Sequence, residues 1–299
     1  MSQFDKRINQ GNKKVKNNTQ HSVQSLSKMD DHRDLKLLLN EVFKERGIDF
    51  SQYRENLLER RVAVRIRATK SCSYEEYMRL LKDNREEMDA LLDVLTINVT
   101  QFFRDTRVFE AVKKNVIPEL FNKEVIENRK IVRIWSCGSS AGEEATTVLI
   151  LIAEYLKENL GKPQIYIYAT DIDKWSIEKA RDGIYEEFEF KDMPKELREK
   201  HFLEVGNKKF WRKKELNKFL FFKIHDIAKD DPPKSFDMIL CRNLFIYFKR
   251  ELQEICLEKF SMALNKNGFL VLGLTESLWG ASPKSFVEFD RENRMYRKI

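Results

Sequence analysis

The chain has 299 residues, 42% of them hydrophobic, which is enough apolar material for two domains or for one large domain with a small partner. Its longest apolar run, Val148 to Ala153, is far short of the ~18–20 residues of a membrane span, and no apolar block opens the chain as a signal peptide would. The four cysteines and four histidines lack the spacing of a disulfide framework or a metal site, and the net charge of +7 points to an acidic partner or to solubility alone.

Residues 1–30 are rich in Asn, Gln, Ser and Lys, carry six Lys/Arg against two Asp and lack periodicity, so a disordered basic tail is expected. A helical module is expected over 31–97. Leu35, Leu38, Leu39, Val42 and Phe43 make an apolar stripe that Gly47 ends. A second helix is expected from about Gln52 to Ala68, with Arg54, Arg61 and Arg65 on one narrow face. Those three arginines read either as a solvated face or as a docking stripe for an acidic partner. Ser73-Tyr74-Glu75-Glu76 is a capping-box pattern for a third helix, and Met88, Leu91, Leu92 and Leu95 carry a fourth.

A linker and linking helix are expected over 98–130. Asn98, Thr100 and Arg104 offer polar groups around Phe102 and Phe103, and Asp105 can cap the helix that holds Val108, Phe109, Val112 and Val116. An arginine fixed beside buried aromatics is placed to orient a carboxylate.

From Ile131 the pattern becomes α/β. Ile131, Val132, Ile134 and Trp135 read as a buried parallel strand, and Cys137 to Gly142 contains only small residues. Ala145, Val148, Leu149, Ile152 and Leu156 then recur at helical spacing. The turn has neither the Gly-x-x-x-x-Gly-Lys of a phosphate loop nor the Gly-x-Gly-x-x-Gly of a dinucleotide fold. Glu143 and Glu144 stand where a phosphate site places a lysine, and two carboxylates there suit a cationic, phosphate-free nucleoside such as S-adenosylmethionine. An ordinary helix start with dipole-compensating acids is the plainer alternative.

Gln164 to Thr170 is a second strand running into Asp171, the position from which such folds grip a ribose diol, while Asp173 reads as a helix cap. The span from about 184 to 222 interrupts the alternation. Lys208–Trp211 and Phe219–Phe222 read as an inserted hairpin with an exposed edge. Asp226 and Ile227 follow a third strand, at a position suited to the adenine amino group. Phe236 to Leu240 is a fourth strand with Arg242, Asn243 and Tyr247 at its carboxyl end, and Gly268–Leu274 and Phe286–Tyr296 close the sheet.

Together these motifs resemble the chemotaxis receptor protein-glutamate O-methyltransferases (CheR-type). The resemblance rests on the Arg-rich second helix, Asn98-x-Thr100-x-Phe102-Phe103-Arg104, Trp135-Ser136 through Gly142-Glu143-Glu144, and Ala169-Thr170-Asp171-Ile172-Asp173. It extends to Cys241-Arg242-Asn243-x-x-Ile246-Tyr247-Phe248 and Gly273-x-Thr275-Glu276-Ser277. It implies a Rossmann-like S-adenosylmethionine-dependent methyltransferase domain over 131–299, preceded by a small all-helical domain. It also implies cofactor contacts at Asn98, Thr100, Arg104, Glu143, Asp171, Asp226, Ile227, Arg242 and Asn243, with Tyr247 beside the transferred methyl. The expected partner is the cytoplasmic helical region of methyl-accepting chemotaxis receptors, engaged by a cytoplasmic monomer. The chain departs from the family where Ala145-Thr146-Thr147 replaces Pro-Tyr-Ser and where Asp226-Ile227 replaces Asn-Leu.

Two rival readings are a nucleic-acid methyltransferase and a non-catalytic scaffold that keeps the fold. Asp231-Pro232-Pro233 favours the first, but it precedes the fourth strand and Lys234 replaces the aromatic that such a motif needs, so it reads as a loop. A nucleic-acid partner is therefore not expected.

Overall fold

The computed structural model describes residues 32–96, 100–122, 131–157, 163–278 and 284–299. The expected tail and Asn98 lie outside the described residues. The chain divides into two compact units, one running to Ser51 and from Glu55 to Leu95, the other comprising Gln52–Arg54 and everything from Thr96 onward.

The first unit is helical. A helix over residues 32–46 buries Leu35, Leu38 and Val42 and ends at Gly47, whose φ of +73° lets its N–H reach Phe43 O at 2.8 Å. Phe43, expected in the stripe, is instead exposed, because eight residues from Leu35 the helix has turned its side chain off the buried line. Helices Glu55–Thr69, Tyr74–Asp83 and Arg85–Thr96 complete the unit. Ser73 caps the third helix by accepting Glu76 N–H, while Glu76 reaches back to Cys72 N–H, one residue before a strict capping box.

Among the described residues the unit's interior contains one acid. Glu87 is buried and accepts Arg65 Nε at 3.0 Å, Arg65 Nη2 at 2.5 Å and Tyr77 Oη–H at 2.7 Å. Burial pushes its carboxyl up, but the hydrogen bonds from Arg65 and Tyr77 outweigh that and hold it below the usual range.

The second unit is built on a seven-stranded sheet: β1 (Ile131–Cys137), β2 (Gln164–Asp171), β6 (Leu220–Ile224), β7 (Phe236–Cys241), β8 (Leu264–Leu272), β9 (Phe286–Asp290) and β10 (Met295–Lys298). The order is β6-β2-β1-β7-β8-β10-β9. The first five strands are parallel, and β10 runs antiparallel to both neighbours. Phe286–Tyr296 is thus two strands rather than one. Ile134 and Ile167 point into a cluster shared with helix Glu143–Leu156, while Trp135 and Ile239 point into one shared with helix Arg250–Ala263. Strand order reverses between β1 and β7, and ligands of open α/β sheets bind beyond the carboxyl ends at that point.

A second, three-stranded sheet pairs β3 (Ile184–Glu186), β5 (Lys209–Arg212) and β4 (Phe202–Glu204) in the order β3-β5-β4. The hairpin of the insertion is therefore β4–β5. The Phe219–Phe222 run belongs instead to β6, where Leu220, Phe221 and Phe222 pair with Ile167, Tyr168 and Ala169 of β2. The correction has a simple cause: an aromatic run after a charged turn has the same local pattern in a hairpin and in a parallel edge strand, and only the pairing partner distinguishes them.

Arg212 ties the insertion to the main sheet. It is almost fully buried and donates to Asn217 Oδ1 (2.7 Å), Tyr185 Oη (3.1 Å), Ala180 O (3.0 Å) and Thr146 Oγ1 (3.4 Å). Among the described residues no helix is long and apolar enough to cross a membrane, and no group of three or more His, Cys, Asp or Glu could hold a metal ion.

Candidate active site

β1 ends at Cys137, and the chain turns through Gly138 (φ +72°), Ser140 (φ +48°) and Gly142 (φ +86°). Gly138 and Ser139 both donate their N–H to Thr170 O, at 2.8 and 3.0 Å, which fastens the turn to the end of β2. Gly142 admits no side chain, since a Cβ there would lie 2.8 Å from the Phe222 ring and 3.1 Å from Ala180 Cβ.

Asp171 sits at the end of β2, half-buried. Its Oδ2 accepts Ser140 N–H at 2.8 Å and its Oδ1 accepts Asp173 N–H at 2.9 Å. Each oxygen keeps a second lone pair, the arrangement a vicinal diol requires. Burial pushes this carboxyl up to about 6, against the opposing pull of the backbone amides of Asp173, Ser140 and Ile172. Asp173 caps helix Lys174–Asp182 through Trp175 N–H and Ser176 N–H, the cap role read from the sequence.

The paired glutamates divide their work. Glu143 is buried beside Glu189, and its Oε2 has no hydrogen-bond partner. Burial first, and the neighbouring Glu189 second, push its acid up. Glu189 itself is held by Lys179 Nζ at 2.8 Å and by Glu186 N–H at 2.6 Å. Glu144 accepts Ser136 Oγ–H at 2.8 Å and Arg242 Nη1 at 3.4 Å. The sequence pairs Glu144 with Glu143 at this turn but marks only Glu143 as a cofactor contact; the tie of Glu144 to Arg242 emerges from the fold.

Arg242 is a buried strut. Besides Glu144, its Nη2 reaches Asp105 Oδ2 (2.7 Å) and Arg104 O (2.8 Å), its guanidinium lies 4.8 Å above the Phe109 ring, and its Nε has no partner. It thereby fixes the Arg104–Asp105 turn to the end of β7. Asp105 does not cap the following helix. Its φ is +59° and its carboxylate turns to Arg242, whose charge is a stronger partner than a helix amide.

Asn243 also has positive φ (+59°), and the loop it opens is held by Glu276. This buried carboxylate accepts Gly273 N–H at 2.7 Å, Asn243 N–H at 3.0 Å and Ile246 N–H at 3.3 Å. Tyr247 closes the loop, half-buried. Glu276 is a second positioning residue missed as such, though it sits in a quoted motif directly after an apolar strand. On the far side, Asp226 Oδ1 accepts Ala228 N–H at 2.9 Å, and Ile227 is buried.

The family departures have physical counterparts here. Thr147 Oγ1 donates to Glu143 O at 2.7 Å and accepts Phe103 N–H at 3.3 Å, while Thr146 accepts from Arg212. The structure thus gathers Arg104, Glu143, Glu144 and Arg242 around the ends of β1 and β7, and Asp171, Asp226 and Ile227 around the ends of β2 and β6. Thr100 is half-buried just ahead of Phe102.

The structure does not bring Arg54, Arg61 and Arg65 into one free stripe. Arg54 precedes helix Glu55–Thr69 and donates through Nε to Phe248 O at 3.1 Å. Arg61 donates to Val94 O at 2.6 Å, and Arg65 is committed to Glu87. A helical wheel gives direction but not what stands opposite. The exposed arginines of the helix are Arg60 and Arg67.

Acceptors at Asp171 and Asp226, an unpartnered buried oxygen on Glu143 and a turn without lysine fit a phosphate-free nucleoside that carries a cation. Comparison with known proteins agrees. A family model described as the SAM binding domain of CheR methyltransferase matches residues 98–293, and one described as its all-alpha domain matches residues 33–96. The chemotaxis protein methyltransferase of Borreliella burgdorferi is 31% identical over 251 residues, 83% of this chain and 89% of that protein. That of Listeria innocua is 30% identical over 237 residues, 79% of this chain and 87% of that protein. That of Vibrio parahaemolyticus is 30% identical over 243 residues, 80% of this chain and 86% of that protein. With both of its parts matched in order and its motifs assembled at one end of the sheet, the chain belongs to the CheR methyltransferase family.

Proposed function

We propose that the protein methylates glutamate side chains on the cytoplasmic helical region of chemotaxis receptors, giving glutamate methyl esters. The observation that carries this reading is the half-buried Asp171, held by two amides at a turn with no phosphate-binding lysine. S-adenosylmethionine supplies, when bound, an electrophilic methyl on a sulfonium centre. Asp171 grips the ribose, and Asp226 with Ile227 flanks the adenine. Thr100, Glu143 and Asn243 line the remainder, the family motif adds Asn98 as a cofactor contact, and Arg242 acts chiefly by fixing Arg104.

The acceptor carboxylate is already ionised at pH 7, so no general base is needed. The protein's work is alignment, which can supply about 7–11 kcal/mol. Arg104 orients the acceptor carboxylate and Tyr247 lies beside the reacting centre. Arg60 and Arg67, exposed on helix Glu55–Thr69, join exposed Arg54 just ahead of it as docking cations for acidic receptor helices, with Arg61 and Arg65 turned to Val94 and Glu87.

The test is incubation of the protein with labelled methyl donor and receptor-bearing membranes. Label that follows receptor and is released as methanol by mild alkali is expected. Alkali-stable label, or label that follows nucleic acid, would replace the glutamate assignment with another acceptor.

A further inference from the structure

Residues Gln52–Arg54 lie in sequence between two helices of the first unit but group with the second. They form an added antiparallel step on the segment that ends the Arg242–Tyr247 loop. Tyr53 bridges Phe248, Arg54 N–H donates to Tyr247 O at 2.9 Å, and Lys249 N–H donates to Gln52 O at 2.8 Å. The Arg54 side chain adds its bond to Phe248 O. This short strap is therefore held from both its backbone and its side chains.

The strap delivers one aromatic ring. Tyr53 meets Phe248 edge to face with centroids 5.0 Å apart, and it packs on the cluster that includes Cys137 and Ile227. Cys137 is the last residue of β1, and Ile227 follows Asp226 beyond β6. In the sheet β2 lies between β1 and β6, so the cluster on which Tyr53 packs reaches the carboxyl end where Asp171 stands. Burial, then the carboxylate of Asp226, then that of Asp171, push its phenol well up. Tyr53 keeps part of its surface uncovered.

We propose that Tyr53 is a cofactor-binding residue whose ring walls the adenosine end of the methyl-donor site. This rests on the placement of ribose and adenine at Asp171 and Asp226. A tyrosine suits the task because its flat face accepts a heteroaromatic base while its hydroxyl can bond a polar edge. The methyltransferase site then takes one wall from a residue outside the 98–293 region that matches the family's SAM binding domain.

The experiment is calorimetric binding of S-adenosylhomocysteine to full-length wild type, Tyr53→Leu, Tyr53→Phe and Asp171→Ala. Thermal melts check that each variant is folded. Tyr53→Leu keeps apolar bulk on Phe248 but loses the aromatic face, and it should weaken binding by about fivefold or more. Tyr53→Phe keeps the face and should fall between Leu and wild type. Wild-type affinity in Tyr53→Leu, with Asp171→Ala weakened, would remove Tyr53 from the site while leaving the site's location intact. Wild-type affinity in Asp171→Ala would overturn the location itself, and the Tyr53 assignment with it.

Discussion

Replacing Glu276 with Ala tests how the loop carrying Asn243 and Tyr247 is held. One carboxylate accepts three backbone N–H groups from two segments, Gly273 at 2.7 Å, Asn243 at 3.0 Å and Ile246 at 3.3 Å. A hydrogen bond to a charged group contributes about 1.5–3 kcal/mol, and a buried donor left without an acceptor costs about 1–3 kcal/mol. The three bonds share one anion, and burial opposes its charge by pushing its acid up, so their values do not add. A total loss of about 3 kcal/mol is expected. The site is also tight, since a Cβ on Gly273 would lie 2.6 Å from Glu276 Oε2 and 2.8 Å from Asn243 N. Guanidinium unfolding should show a lower midpoint, and calorimetry should show S-adenosylhomocysteine bound at least about tenfold more weakly, because the released loop carries Asn243. Glu276→Gln, which keeps an acceptor oxygen and the shape, should lose about half as much. Unchanged midpoint and affinity in Glu276→Ala would refute the clamp. Gln253, which donates to Phe245 O and Phe248 O at 2.8 and 3.1 Å, would then be what holds the loop.

Other expectations follow from the same geometry. Asp171 accepts ribose hydroxyls best as a carboxylate, so S-adenosylhomocysteine affinity should fall as pH drops through about 6, and Asp171→Asn should flatten that profile. In the ligand-free protein the sign is opposite: the folded carboxyl at about 6 lies above the unfolded value near ~3.9, so this residue's contribution to stability declines as pH rises across that window. Arg65→Ala leaves Glu87 buried without its cation and should cost about 3 kcal/mol in chemical unfolding, with Arg65→Ala/Glu87→Gln recovering part of the loss. A double variant as stable as wild type minus both single effects would show that the two residues are not coupled. Arg104→Ala should lower turnover by about 100-fold or more, while Arg67→Ala leaves turnover at saturating receptor unchanged. Equal losses in the two would assign Arg104 to the surface.

The central strands were legible because β1, β2 and β7 are apolar runs, with Cys137 and Asp171 ending the first two and Arg242 directly after the third. β6 was not, since its identity lies in pairing with β2 rather than in its own composition. Asp171 could be named from its place at the end of a strand. Glu144 and Arg242 stand 98 residues apart, and the clamp of Glu276 on backbone at Asn243 and Ile246 leaves no trace in side-chain pattern. The arginine stripe misled for the same reason: Glu87 stands opposite Arg65 on another helix.

Arg212 carries a consequence for anyone handling this protein. Its four acceptors come from the helix after the glycine turn, the end of helix Lys174–Asp182, strand β3 and the turn before β6. The insertion is thus no detachable ornament: trimming it back to Ile184 would strip the guanidinium from Thr146, one turn beyond Gly142. Gly183 is equally closed to change, because a Cβ there would lie 3.0 Å from Arg212 Cζ. Gly206, at the tip of the β4–β5 hairpin, has nothing within 4 Å of its would-be Cβ. A fluorophore or affinity handle grafted beside it, at exposed Asn207 or Lys208, would report on the insertion without disturbing the methyl-donor site.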